Sequence, residues 1–536
     1  MRVRWTLRAF RFSLPVLAAS LSLICADLAA PQSTAKPPQQ TPAQRASGVK
    51  LVQEMPPAAA PRPFAFPAPV SRTLPNGLRV FVVSARRGAD VSVDPAVSVE
   101  LLIRNAGMVR DPQGKPGLAD FTGSLLRQGT EKRSAQDIAS AIDFVGGTLN
   151  AGAGPDSTTL RVSVVKKDFD LGMDLLSDIT LHAKFPPDEI SRAQQRALSN
   201  FSRAYEDGDY LASAVFRRMV FGSSPYGTPA DGTPASVASF TREDLADFRD
   251  QYYLPNETVM AIAGDITPEE GFAAAEKYFG GWAKKVSTPP AITIPARPDG
   301  LRIVVVDMPE AVQTQIRVGR PGIPRNHPDY LPLTVTNYIF GGGFNSRLNT
   351  VVRVKGGLTY DASSGLASSL YAGDFVAETF TRTEATVDAT KLVLDEIGKM
   401  AGGEATENEL NVARDYLAGV FVIGSETPNQ IAGRVTQAAF YGLPDDYNQT
   451  YPAKVRATTA AQVQQMAARY FDAKNLDLVL VGNAAAFRDA LKAAYPAAKY
   501  EEIAADQLDL MAPDLRKTRQ APRPPTGTAG FAEPAR

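Results

Sequence analysis

Histidine and cysteine carry much of the metal and nucleophile chemistry of proteins, and this chain has almost none of either. Its 536 residues include two histidines, His182 and His327, and one cysteine, Cys25. A catalytic metal site wants about three good ligands, commonly with two histidines four residues apart on one helix face. Neither histidine has such a partner. His182 follows a helical stretch in Leu181-His-Ala-Lys-Phe185, and His327 sits in the turn signal Arg325-Asn-His-Pro-Asp329. Both read as surface or capping residues. No nucleophile-elbow pattern supports a Ser-His-Asp triad on either. A lone cysteine excludes a disulfide scaffold and a Cys-rich metal cluster. Lysine plus arginine number 57 and aspartate plus glutamate 57, so no basic excess calls for a nucleic-acid partner.

The elements that would position any site come in two copies. Asn76-Gly-Leu-Arg-Val-Phe-Val-Val83 resembles Asp299-Gly-Leu-Arg-Ile-Val-Val-Val306, and Leu176-Ser-Asp-Ile179 resembles Leu394-Asp-Glu-Ile397. Thr241 opens a helical stretch leading to Tyr252, Asn256 and Gly264; Thr459 opens another leading to Tyr470, Asn475 and Gly482. These matches recur in order, about 220 residues apart, as in a tandem repeat. Residues 67–283 and 300–500 are read as two homologous halves, joined by a proline-stiffened linker over 284–299. Strand signals (79–83, 159–165) alternate with helical spacing (168–181, 189–206). The expected class is therefore α+β: two homologous α/β halves, each a mainly antiparallel sheet covered by helices.

These residues carry a family likeness. Leu74-Pro-Asn-Gly-Leu78, Gly117-Leu-Ala119, Gln128-Gly-Thr130, Gly147-Thr-Leu-Asn-Ala151, Asp156-Ser-Thr158, Ser224-Pro-Tyr-Gly227 and Tyr252-Tyr-Leu-Pro-Asn256 follow one another in half one. Half two has Gly341-Gly-Gly-Phe-Asn-Ser-Arg-Leu348 and then Arg353-x-x-x-Gly357-Leu-Thr-Tyr360. The ordered set resembles the pitrilysin/insulinase family of zinc peptidases, to which the mitochondrial processing peptidase also belongs. In that family Gly-Leu-Ala is followed by His-x-x-Glu-His on a helix, and a glutamate some 75 residues on completes the zinc site. Here Asp120 and Ser124 stand where the histidines would be, and Gly123 where the general base would be. The distal glutamate would fall near Ser199 or Asn200. Gly123 should also weaken its helix by roughly 1 kcal/mol relative to alanine.

The resemblance implies that half two keeps what half one lost. Arg353 and Tyr360 match the pair that faces the zinc site across a closed chamber. On spacing alone they would read as a surface charge and a half-buried strand residue. With the likeness, Arg353 at a helix end would grip a substrate carbonyl or carboxylate, and Tyr360 at a strand start would donate to an oxygen becoming negative. The implied role is the non-zinc subunit of a two-chain metallopeptidase, inactive alone. The chain itself would bind no cofactor; the zinc would belong to a homologous partner subunit, and the substrate would be an extended peptide. A scaffold or peptide-binding protein of the same fold is the alternative.

The chain starts with an arginine-rich stretch and an apolar run of about 15 residues, the pattern of a secretory signal over 1–30 that includes Cys25. Residues 31–66 read as a Pro/Ala-rich disordered leader, and 501–536 as a largely disordered tail. No other stretch reaches a membrane-spanning length, so no stable span is expected after signal cleavage. A periplasmic or secreted protein is expected.

Overall fold

Two six-stranded sheets form the body of the chain in a computed structural model that describes residues 64–85, 95–296 and 299–518. The signal segment with Cys25, the leader up to residue 63, Pro298 and residues 519–536 lie outside the described residues. Half one supplies β1 (Val70–Thr73), β2 (Arg79–Ser84), β3 (Ala96–Arg104), β4 (Thr148–Ala153), β5 (Ser157–Val165) and β6 (Thr258–Gly264). Half two supplies β7 (Arg302–Asp307), β8 (Gln313–Pro321), β9 (Ala362–Ser368), β10 (Gly373–Arg382), β11 (Asp477–Gly482) and β12 (Lys499–Ala504).

The sheet orders are β1-β2-β6-β3-β5-β4 and β12-β7-β11-β8-β10-β9. Five strands therefore correspond one to one. β2 and β6 run parallel, as do β7 and β11, and the remaining pairs of the five are antiparallel. The sixth strand breaks the likeness. β1 precedes its five and lies antiparallel to β2, whereas β12 follows its five and lies parallel to β7. The repeat also shows in the caps: Thr241 and Thr459 each close a capping box at the start of a helix.

Each sheet is covered on one face by helices of its own half and on the other by a helix from the opposite half. The Pro428–Phe440 helix of half two lies on β3 and β6, where Ile431, Ala432 and Val435 meet Val83, Ala261 and Ala263. The Gly208–Phe221 helix of half one lies on β8 and β11, where Leu211, Val215 and Phe216 meet Val304, Val306, Val479 and Val481. Double coverage explains why β3, β6 and β11 are apolar or small at nearly every position, while β5 alternates.

A buried charge sits under each lent helix. Glu100 on β3 pairs with Arg161 on β5 (Nε to Oε2, 2.5 Å) and accepts a hydrogen bond from the Thr436 hydroxyl (2.5 Å). At the matching place in half two, Arg317 on β8 faces Glu378 on β10 (3.4 Å) and pairs with Asp209. The cross-strand pair has kept its position and reversed its sign.

Two expected boundaries need correction. Residues 501–518, assigned to the tail, continue β12 and then fold back so that Leu508, Leu510 and Leu515 are buried. Lys499–Ala504 pairs with β7 as an edge strand, so the sheet runs past the expected end of half two at residue 500. At the other end, Phe66 of the supposed leader is buried beside Val83 and Ile431, and Phe64 packs edge-on against Phe421. The linker residues Ile292 and Ile294 also pack onto the body.

Because each sheet needs the other half's helix, residues 64–283 expressed alone should be insoluble or molten, by size-exclusion chromatography and near-UV circular dichroism. Co-expression with residues 284–518 should restore a soluble complex of the two fragments.

Candidate functional site

The Leu118–Leu125 helix starts from an unusual anchor. Asp111 reaches forward and accepts hydrogen bonds from the Gly117 amide (2.7 Å) and the Ala119 amide (2.8 Å). This satisfies two backbone donors that would otherwise be unpaired at a helix start. Burial pushes the Asp111 carboxyl up to about 7, against the two amides and with Asp120 adding a smaller push in the same direction. Gly117 and Gly232 both have positive φ (+86° and +84°) and pack backbone to backbone. A Cβ on Gly117 would lie 2.6 Å from the Gly232 amide nitrogen. That contact brings the Asp231 loop over the first turn of the helix.

Between this helix and the Pro187–Ala204 helix lies a cavity of about 290 Å³, lined by Asp120, Phe121, Ser124, Leu125, Asn200, Phe201, Asp231 and Val237 among others. Asp120 and Ser124, the positions singled out in sequence, are thus brought together, and Asn200 joins them. Ser199, the other candidate for the distal position, does not line this cavity. Asp120 is exposed at the cavity mouth, yet the protein around it, and secondarily Asp231, push its carboxyl up to about 6. Burial raises Asp231 too, although the Tyr210 hydroxyl donates to it at 3.5 Å. The Ser124 hydroxyl is turned back, donating to the Phe121 carbonyl (2.8 Å).

These residues do not fit a zinc ion. No histidine lines the cavity, and one carboxylate with a hydroxyl and an amide is a poor donor set for zinc. Gly123 is the stronger obstacle. A Cβ there would stand 2.8 Å from the Ala153 amide nitrogen and 3.1 Å from the Gly152 carbonyl carbon, on the backbone of β4. The edge strand occupies the space a catalytic side chain would need. The expectation that Gly123 weakens the helix is therefore corrected: the missing side chain is what allows the helix to lie against β4.

In half two, Ser346 caps a short helix, Arg347–Asn349, which passes into a wider π-helical turn over Thr350–Lys355. Arg353 lies in that last turn, at a helix end as expected. Its guanidinium sits 5.0 Å from the Phe344 ring centroid and makes no hydrogen bond or ion pair among the described residues. Gly357, at φ +62°, ends the helix with its amide on the Arg353 carbonyl (3.0 Å). Tyr360 was expected to start a strand. It lies instead in the bend before β9 and is 81% exposed. The Thr381 hydroxyl donates to the Leu358 carbonyl and that of Thr379 to the Asp361 carbonyl, both at 2.7 Å. These two β10 hydroxyls pin the backbone on either side of Tyr360 and leave its ring facing outward.

The histidines take minor parts. The His182 carbonyl accepts from the Glu131 amide (3.1 Å) at a helix end, and His327 Nδ1 accepts from the Asp329 amide (3.1 Å). Sequence reasoning missed Asp111 and Asp231. Asp231-Gly232 is a turn signal that could have flagged the loop. A carboxylate capping a helix from six residues upstream has no comparable signature.

Two homologous halves, each a helix-covered six-stranded sheet, define the class, and comparison with known proteins names it. Residues 89–228 match the Insulinase (Peptidase family M16) model, and residues 239–417 match the Peptidase M16 inactive domain model. An uncharacterized zinc protease of Mycobacterium tuberculosis is 30% identical over 386 residues, covering 71% of this chain and 86% of that protein. One from Mycobacterium leprae is 28% identical over 407 residues, covering 74% and 89%. Among solved structures, the peptidase M16 inactive domain from Pseudomonas fluorescens superposes with a TM-score of 0.72 at 26% identity, covering 77% of this chain and 98% of that one. A Helicobacter pylori protease shares the fold, with a TM-score of 0.70 at 20% identity, covering 78% and 100%. The chain belongs to the insulinase (M16) peptidase family.

Two predictions follow from the geometry around the first helix. Gly123→Ala should lower unfolding stability by about 1–3 kcal/mol in chemical denaturation, because overpacking against β4 outweighs alanine's better helix propensity. Asp111 holds its proton more tightly folded than unfolded. Its contribution is thus present at low pH and lost as pH rises from about 4 to about 7. The difference in stability between wild type and Asp111→Ala should therefore change across that window in urea titrations.

Proposed function

We propose that this chain is the non-zinc subunit of an exported two-chain metallopeptidase, in which Arg353 and Tyr360 contact the substrate in trans to a homologous zinc-bearing partner. The observation that carries this reading is the state of the two side chains. At the positions the likeness assigns to the family's pair, Tyr360 is exposed and Arg353 half-buried over the Phe344 ring, neither side chain making a hydrogen bond or ion pair among the described residues, on backbone fixed by Gly357, Thr379 and Thr381. Half one, by contrast, has given up the groups a metal would need. The chemistry left to this chain is recognition. A guanidinium offers five donors in a fixed fork to substrate carbonyl or carboxylate oxygens, and a tyrosine hydroxyl can donate to an oxygen gaining negative charge. The relatives carry the name zinc protease, which supports a peptide substrate. The apolar run in the first 30 residues supports export to the periplasm or beyond.

The test is reconstitution. The purified chain alone should cleave no peptide, and addition of the co-purifying zinc-bearing chain should produce cleavage. Arg353→Ala or Tyr360→Phe should each lower kcat/KM of the mixture by about a hundredfold. Equal cleavage with both residues replaced would leave the scaffold reading in its place.

A further inference from the structure

We infer that the cavity between the Leu118–Leu125 and Pro187–Ala204 helices is a receptor for one cationic side chain, an arginine or lysine presented by an extended peptide. This concerns the chain alone and rests on neither Arg353 nor Tyr360. The cavity has two unlike parts. Phe121, Leu125, Phe201 and Val237 form an apolar wall, with Ala193, Ala197 and Ala204 leaving room between the helices. Asp120 and Asp231 form an acidic end.

That combination matches a long side chain with a charged head. Lysine and arginine bury their methylene stems on apolar surface while the head seeks a polar partner. At about 290 Å³ the space lies just below the range of roughly 300–1,000 Å³ typical of small-molecule pockets, and suits a single side chain. The two carboxylates share the cavity: burial raises both, Asp231 pushes Asp120 up further, and among the described residues no ion pair engages either one, Asp231 having only the Tyr210 hydroxyl. Arg196 is on the rim, exposed and without an ion pair to either. A guanidinium or ammonium group entering between the carboxylates would relieve that repulsion.

A divalent metal fits less well. Hard cations take six or more oxygen ligands. The apolar wall offers none, and no group of three or more His, Cys, Asp or Glu converges among the described residues. The arrangement is also held open by the backbone. Asp111 fixes the start of one helix, and the Gly117–Gly232 contact fixes the loop bearing Asp231.

The experiment uses the full mature chain and fluorescence anisotropy with short labelled peptides. They differ at one central residue: arginine, its neutral isostere citrulline, or norleucine. The arginine peptide should bind about tenfold tighter than the citrulline peptide. The Asp120→Asn, Asp231→Asn double variant should erase that difference. Circular dichroism would establish that the variant folds, and the arginine–citrulline comparison on wild type stands without it. Equal affinity for the arginine and citrulline peptides would overturn the proposal. So would an arginine preference that survives in the folded double variant, or calcium or zinc that binds at micromolar concentration and removes the preference. Cleavage by a two-chain mixture is not read in this assay, so its outcome leaves the subunit proposal separately testable.

Discussion

Glu100 and Arg317 occupy matching positions on the central strands β3 and β8, each beneath a helix that belongs to the other half. Everything else in the fold hangs on this mutual cover. A sheet of apolar central strands has two faces to hide, and the helices of one half hide only one. The second face is closed by the Pro428–Phe440 helix in one case and the Gly208–Phe221 helix in the other. Removing a buried charge's partner is costly, because the charge is left unpaired in a low dielectric. The pairs Glu100–Arg161 and Arg317–Glu378 therefore do more than add attraction. They penalise any arrangement in which the lent helix carrying Thr436 or Asp209 is missing or shifted.

That architecture leaves the first helix of half one free of any part in the mutual cover. Asp120, Gly123 and Ser124 lie on a short helix at the sheet's β4 edge, outside the cross-half contact. What holds that helix is Asp111 at its start and β4 along its side. Glycine at 123 lets strand and helix lie in backbone contact, with no room between them for a side chain. In half two the backbone around Arg353 and Tyr360 is fixed, while the Tyr360 ring is exposed and the Arg353 guanidinium rests on the Phe344 ring.

Much of this was legible in the chain itself. Repeated threonines at 241 and 459 announce helix starts because their hydroxyls cap local backbone, a short-range interaction. The likeness to the family placed Asp120, Ser124 and a residue near 200 in one site, and the cavity brings Asp120, Ser124 and Asn200 together. What escaped depends on partners far away in sequence. β12 looks like a polar tail until β7 is beside it. Tyr360 looks like a strand residue until Thr379 and Thr381 hold its backbone in a bend. Gly123 looks like a weak point in a helix until β4 is seen against it.

The exchanged helices also bear on origin. A single ancestral half would have had one bare sheet face and one helix with nothing of its own to cover. Two copies of such a chain could satisfy each other by trading that helix, as a symmetric pair. Residues 284–299 would then be the tether that fused the pair into one gene product. On that view the halves differ where one chain no longer has to be symmetric: the buried ion pair has opposite sign in each, and the sixth strand precedes the other five in one half and follows them in the other.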